Sequence, residues 1–310
     1  MSNFYDTIGF ENRKFSINYS DDFENELMYT YGYQIVNILY KTNNGNLFLI
    51  KDNKNYKEEE NLYFLHKIIL TSKEMKSQIE KDLKNLTVIN SEYIMKIVKY
   101  IFINENEEEN ICIIFKYHEH NLSEIIHQTN LLNSRNSWKI FIQILLGLNY
   151  LYINNIIPDY ICPQNIFLDN ENNIKICGFH YLLDLMPNHS NETLIPYLSQ
   201  EILKKENADE KSCIWSLGCI LYELYFKTLA FPNKDNINAK KDILSIKYNL
   251  PDNCEKDISI ILSKLICEMS KRLTLKELLL VEIIKNKIIE FNMFLKVIGD
   301  NSNCKYLLYN

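Results

Sequence analysis

PDYICPQNIFLDNENNIKICGFH, residues 158 to 180, is the stretch on which the reading of this chain turns. Its middle has the look of a place that holds a metal ion and a nucleotide. The carboxylates that such a place needs are missing, so the question is what a framework without its acids is for.

Composition narrows the answer. At 310 residues the chain exceeds the usual single-domain size, so one large two-lobed domain or two tightly joined domains is expected. Apolar residues at 46% and charged residues at 24% describe an ordinary globular protein with a sizeable core, not an extended disordered one. Asn, Ile and Lys are overused while Gly and Pro are few, a bias that fits an AT-rich coding sequence rather than a binding code. The formal charge is −6 and the Lys residues are scattered, so neither a nucleic-acid nor a membrane surface is expected. Two acidic runs, KEEEN at 57 to 61 and NENEEEN at 104 to 110, read as solvated loops that mark connections.

The eight Cys show no CxxC spacing and the N-terminus has no apolar segment like a secretory signal. Free thiols in a reducing compartment, cytoplasmic or nuclear, are the expectation. The apolar run from Ile214 to Phe231 contains Gly218, Glu223 and Lys227, which suits a buried helix better than a membrane span.

Along the chain, residues 1–27 read as a polar extension that docks weakly or not at all. YQIVNILYK and NLFLIK around TNNG predict a hairpin within 28 to 52. Met75, Ile79, Leu83 and Leu86 predict a helix over 72 to 89. IMKIVKYIFI and NICIIFKY predict a second strand pair. After a boundary in KYHEHN the pattern turns helical: Phe141, Ile144, Leu145, Leu148, Leu151 and Tyr152 form one apolar face, and IWSLGCILYELYF reads as a helix buried on all sides. KDISIILSKLICEM and TLKELLLVEII supply further helices. The fold class expected is therefore α+β, with a small β-rich N-lobe bearing one main helix (28–117), a larger helical C-lobe (118–290) and a tail (291–310).

In this order of segments the chain resembles the eukaryotic protein kinases from about residue 28 to about 290. PQNIFL at 163 to 168 resembles the family's P-E-N-I-L-L, IWSLGCILYEL its buried helix, Glu201 the Glu of A-P-E, and Arg272 its late Arg. Trp215, Gly218, Phe179, Glu201 and Arg272 make up the structural set that the resemblance implies. With Asn165 as anchor, Tyr160 stands where the family has its catalytic Asp, and a phenol of pKa about 10 cannot take that role near neutral pH. Asp159 lies one position early, a weak substitute on a backbone that tolerates little misplacement. Gly178, Phe179 and His180 stand over D-F-G, so the metal position has no side chain and no metal is expected. His180 and the His118-x-His120 pair lack zinc spacing and read as solvated connector residues.

The resemblance places the phosphate loop on Gly32, Gln34, Asn37 and Leu39, with a single glycine left, and the V-A-I-K segment on FLIK, with Lys51 retained and Leu49 crowding the adenine position. Asp82, with Glu80 as alternative, would pair with Lys51, and Phe115, Lys116, Tyr117 and His118 would form the hinge. Asp159 and Cys213 stand where the family has a regulatory Arg and a loop-holding Asp, so Ser190 and Thr193 are not expected to act as a phosphorylation switch. Loss of the base and the metal would leave a turnover of about 10⁻³ s⁻¹ or less. The resemblance thus implies a pseudokinase that works by binding a protein, for instance an active kinase or its substrate, as scaffold or allosteric regulator. Two alternatives stand beside it. One is an atypical ATP-dependent serine/threonine kinase or other phosphotransferase using Lys51, Asn165 and Asp159 or Asp184. The other is a nucleotide-sensing module that takes ATP without magnesium.

Overall fold

The hairpin forms where the β-branched and aromatic runs predict it: β1 (Tyr33–Thr42) pairs antiparallel with β2 (Gly45–Asp52) in the computed structural model of the chain. The structure describes residues 21–42, 45–54, 61–105, 108–128, 132–158, 161–177, 194–206, 209–232 and 236–293. It divides into two units, one of residues 1–79 and 98–115, the other of 80–97 and 116–310.

In the first unit, β3 (Leu62–Ile69), β4 (Ile97–Glu105) and β5 (Glu108–Lys116) complete a five-stranded sheet of order β1-β2-β3-β5-β4. β3 is absent from the expected set of elements. Register shifts at Val36 and Leu39 let β1 turn Ile35 and Ile38 to the same face despite their odd spacing. Gly45 pairs with Ile68, and a Cβ there would lie 2.1 Å from the Lys67 carbonyl oxygen, so only glycine allows that approach.

One face of the sheet is covered by the N-terminal segment. Phe23 of α1 (Asp21–Glu26) and Leu27 of the following π-helical turn (Leu27–Tyr31) are 1% and 0% exposed, packed with Ile35, Phe48, Ile50, Leu65 and Ile103. Residues 21–27 are therefore part of the core, which corrects the expectation of a loosely docked extension: two apolar side chains one turn apart suffice to seal a sheet face. The turn ends at Gly32, whose φ of 83° closes a left-handed cap. The described residues of the acidic run 104–110 likewise lie in strands. They form the end of β4 and the start of β5, where Glu105 pairs with Lys67, Glu109 pairs with Lys76, and Asn110 is buried. KEEEN lies almost wholly outside the described residues.

α2 (Lys73–Thr87) buries Ile79, Leu83 and Leu86 as its periodicity predicts. The segment after it belongs to the second unit because Tyr93 and Met95 bond the backbone of Ile176, closing a bridge from Ile94 to that residue. The remainder is helical: α3 (Leu122–His127), α4 (Ser134–Ile153), α5 (Gln200–Leu203), α6 (Glu210–Phe226), α7 (Asn236–Leu244), α8 (Lys256–Leu265), α9 (Leu275–Leu279) and α10 (Glu282–Glu290). A three-stranded sheet, β6 (His120–Asn121), β7 (Ile166–Leu168) and β8 (Ile174–Ile176), sits among them. α6 is buried without break from Ser212 to Leu224, as its uniform apolarity predicts. The segment TLKELLLVEII divides into α9 and the start of α10. No helix among the described residues is long and apolar enough to cross a membrane.

Candidate functional site

In the second unit, the frame around the opening stretch is tightly determined. A 3-10 turn at Pro163–Asn165 leads into β7, and β7 pairs with β8 in the register Ile166 with Ile176 and Leu168 with Ile174. The Asn165 carbonyl then accepts from Cys177 N at 2.8 Å. Asn165 itself is 0% exposed, and its Oδ1 accepts from Cys162 N at 3.1 Å while Nδ2 has no partner. One lone pair of the amide oxygen thus closes its own turn. Asp159, Tyr160, Gly178, Phe179, His180, Asp184, Ser190 and Thr193 lie outside the described residues.

Asn165 alone is a sparse donor set for a magnesium ion, which wants several hard oxygen ligands. Among the described residues no group of three or more His, Cys, Asp or Glu is placed to hold a metal. Cys213 holds the segment before the turn, its Sγ donating to the Pro158 carbonyl at 2.6 Å. A carboxylate there could only accept, so the thiol inverts the polarity of that contact. Burial pushes the Cys162 and Cys177 thiols up to about 12, and the seven cysteines of the described residues form no disulfide.

Glu201, Trp215, Gly218 and Arg272 are all buried. Arg272 Nη1 meets Glu201 Oε1 at 2.6 Å with both side chains buried, and Ser212 Oγ donates to the same oxygen. Arg272 also reaches the carbonyls of Lys211 and Cys267 and lies 5.0 Å from the Trp215 ring. Burial pushes the Glu201 carboxyl up, but Arg272 and the hydrogen bonds outweigh it and hold the group below its ordinary range. Trp215 stacks on Phe231, and a Cβ on Gly218 would meet Ile266 and Leu265 at 2.8 Å. Hence Gly218 is a packing glycine.

In the first unit the expected nucleotide-binding residues are spread differently. Gly32 caps the N-terminal helical turn, and Gln34, Asn37 and Leu39 lie within β1. This corrects the placement of a phosphate loop there, since backbone N–H groups in a strand ladder are not grouped to cradle an anion. The pairing of the first two strands reaches Thr42 opposite Gly45. Lys51 stands on β2, opposite Gln34 on one side and Leu62 on the other, and Leu49 is buried facing Phe64. Lys51 belongs to the first unit, whereas half-buried Asp82 and Glu80 belong to the second. Of the hinge residues, Phe115 ends the first unit, and Lys116, Tyr117 and His118 open the second. His118 is buried rather than solvated, and burial pushes its pKa down to about 4; burial pushes Tyr117 up to about 12.

The strand that runs into α2 is β3, and its polar residues His66 and Lys67 are the ones the sequence reading missed. The signal was LYFLHKII, a β-type run between an acidic segment and the helix. Lys67 points to the Phe23 face, 4.4 Å from that ring, and is ion-paired with Glu105. His66 points to the other face, is 1% exposed, and has no partner for Nε2. Burial pushes its pKa down to about 3, so the ring is neutral.

An antiparallel sheet of order β1-β2-β3-β5-β4, a helical unit threaded by a fully buried helix, and a Glu201–Arg272 pair define a protein of the kinase type. The protein kinase domain family matches residues 50–283, and the chain belongs to that family. It is 31% identical over 170 residues to serine/threonine-protein kinase Nek11 of Mus musculus, covering 52% of this chain and 27% of that protein. It is 28% identical over 187 residues to mitogen-activated protein kinase 13 of Arabidopsis thaliana, covering 57% and 50%. With an Aurora kinase of Debaryomyces hansenii the identity is 25% over 211 residues, covering 65% and 51%. The matches thus span between about a quarter and a half of these relatives' length. In this family the lysine that meets the nucleotide phosphates stands on the third strand. That criterion selects β3, so Lys51 on β2 is not at the family's position.

Proposed function

We propose that this member of the kinase family is catalytically impaired and works by binding another protein, as a scaffold or allosteric regulator. The observation that carries the reading is the pair of fixed points at Asn165 and Cys177. Asn165 is fixed by its turn, and Cys177 by its bond to Asn165, so counting back from one gives Tyr160 and counting on from the other gives Gly178. A phenol and a hydrogen atom stand where the family's chemistry uses two carboxylates. Lys67, turned to the sheet face that Phe23 covers and paired with Glu105, adds support from the first unit. The partner is a protein, such as an active kinase or its substrate, and no bound metal is required.

The rival reading is an active ATP-dependent serine/threonine kinase, favoured by the relatives, which carry kinase names. The deciding experiment incubates the full chain with radiolabelled ATP, magnesium or manganese and a generic substrate, alongside a thermal shift with ATP with and without metal. Turnover of about 10⁻³ s⁻¹ or less and no metal-dependent shift are expected. Robust phosphotransfer that is lost in Asp159→Asn or Asp184→Asn would put the rival in its place. A shift with ATP alone would point to metal-free nucleotide sensing.

A further inference from the structure

His66 and Lys67 are neighbours on β3, so the alternation of a strand sends them to opposite faces of the sheet. Leu65 belongs to the core around Phe23, Tyr63 packs against that core, and Lys67 lies over the Phe23 ring. Phe64 and His66 therefore turn to the other face, paired with Leu49 and Leu47 of β2. All four are buried, and His66 is the polar one among them. The Phe23 face is closed by the chain's own N-terminal segment, and its lysine is held by Glu105. A ligand that reaches β3 has the His66 face left to it. Lys51 shares this face, since Phe48 and Ile50 on either side of Leu49 belong to the Phe23 core. It stands opposite Leu62, four pairs along the ladder from Leu47 and His66, which is about 13 Å at 3.3 Å per residue.

In the family the lysine that meets the phosphates closes the motif V-A-I-K on the third strand, with a small residue two positions earlier on the same face. We propose that His66 takes this lysine's place, with Phe64 where the motif has its alanine, so that the sheet meets a nucleotide's phosphates with an uncharged imidazole. A lysine makes charge-assisted hydrogen bonds to phosphate oxygens, whereas a neutral ring offers one ordinary donor. Burial keeps the ring neutral, pushing its pKa down to about 3, and its Nε2 has no partner within the chain. Phosphates therefore add nothing to the affinity of a ligand on this face, and a nucleoside binds there as well as its triphosphate. The inference deepens the reading of the chain as an impaired kinase and rests on it for the place of the nucleotide.

The test treats the full chain, His66→Lys and Phe64→Ala/His66→Lys with an acyl-phosphate derivative of ATP, which acylates a lysine amine lying at the phosphates and releases ATP. Peptide mapping then reads which positions lose label to excess ATP. The parent should show no such labelling at Lys51 or Lys67, and the variants should gain it at position 66 by about tenfold or more. Phe64→Ala makes room for the longer side chain. Should neither variant fold, melting temperatures of the parent decide, with ATP and adenosine expected to act alike. ATP-competed label on Lys51 or Lys67, a folded variant with none at position 66, or a larger shift with ATP than with adenosine overturns the inference. Robust phosphotransfer with both lysines unlabelled would end the impaired reading and leave the place of His66 standing.

Discussion

Lys67 of β3 and Glu105 of β4 are ion-paired on the sheet face that Phe23 covers, with side chains only 8% and 12% exposed. Removing one member of such a pair strands a charge away from water. Lys67→Met should therefore destabilise the chain by about 3 to 5 kcal/mol. Adding Glu105→Gln should recover part of that loss. Denaturant unfolding of the two variants measures both effects; a Lys67→Met protein as stable as the parent would mean the pair contributes nothing.

Phe23 tests whether the N-terminal segment belongs to the fold. At 1% exposure it fills the space over Phe48 and Leu65, so Phe23→Ala should cost about 3 to 5 kcal/mol. Amide exchange in β3 and β5 should rise with it. An unchanged exchange pattern would return residues 21–27 to the status of a loose extension.

The buried histidines set an acid limit on stability. His66, pushed down to about 3, and His118, pushed down to about 4, would each titrate near 6.5 in the unfolded chain. Because the folded values lie below the unfolded one, their contribution is complete above about pH 6.5 and is lost as pH falls toward the folded values. Each costs up to about 1.36 kcal/mol per pH unit in that window. The melting temperature should fall between about pH 6.5 and 4.5, and less steeply in His66→Leu. Parallel slopes for parent and variant would remove His66 from this account.

Cys213 donates to the Pro158 carbonyl, an arrangement that a carboxylate would reverse. Cys213→Asp, although it restores the family's residue, sets acceptor against acceptor in a buried place and should cost about 1 to 3 kcal/mol. Cys213→Ser keeps a donor and should cost less. Melting curves in which Asp is the better tolerated would show that the loop before Ile161 adapts to either polarity.

The sequence by itself determined the elements whose pattern is local. The period of α4 as far as Leu151, though not the exposed Tyr152, the uniform apolarity of α6, and the pairing of β1 with β2 were legible, because helix faces, buried helices and hairpins are set by near neighbours. Tertiary structure decided which face and which strand. Lys51 and Lys67 each sit in a β-type run, and only the strand order identifies β3 as the strand entering α2. The Lys67–Glu105 and Phe23–Lys67 contacts join residues 38 and 44 positions apart, so no local periodicity announces them. Likewise, the composition of Asn165 gives no sign that its amide oxygen closes a turn onto Cys162, because that bond depends on the backbone path and not on residue type.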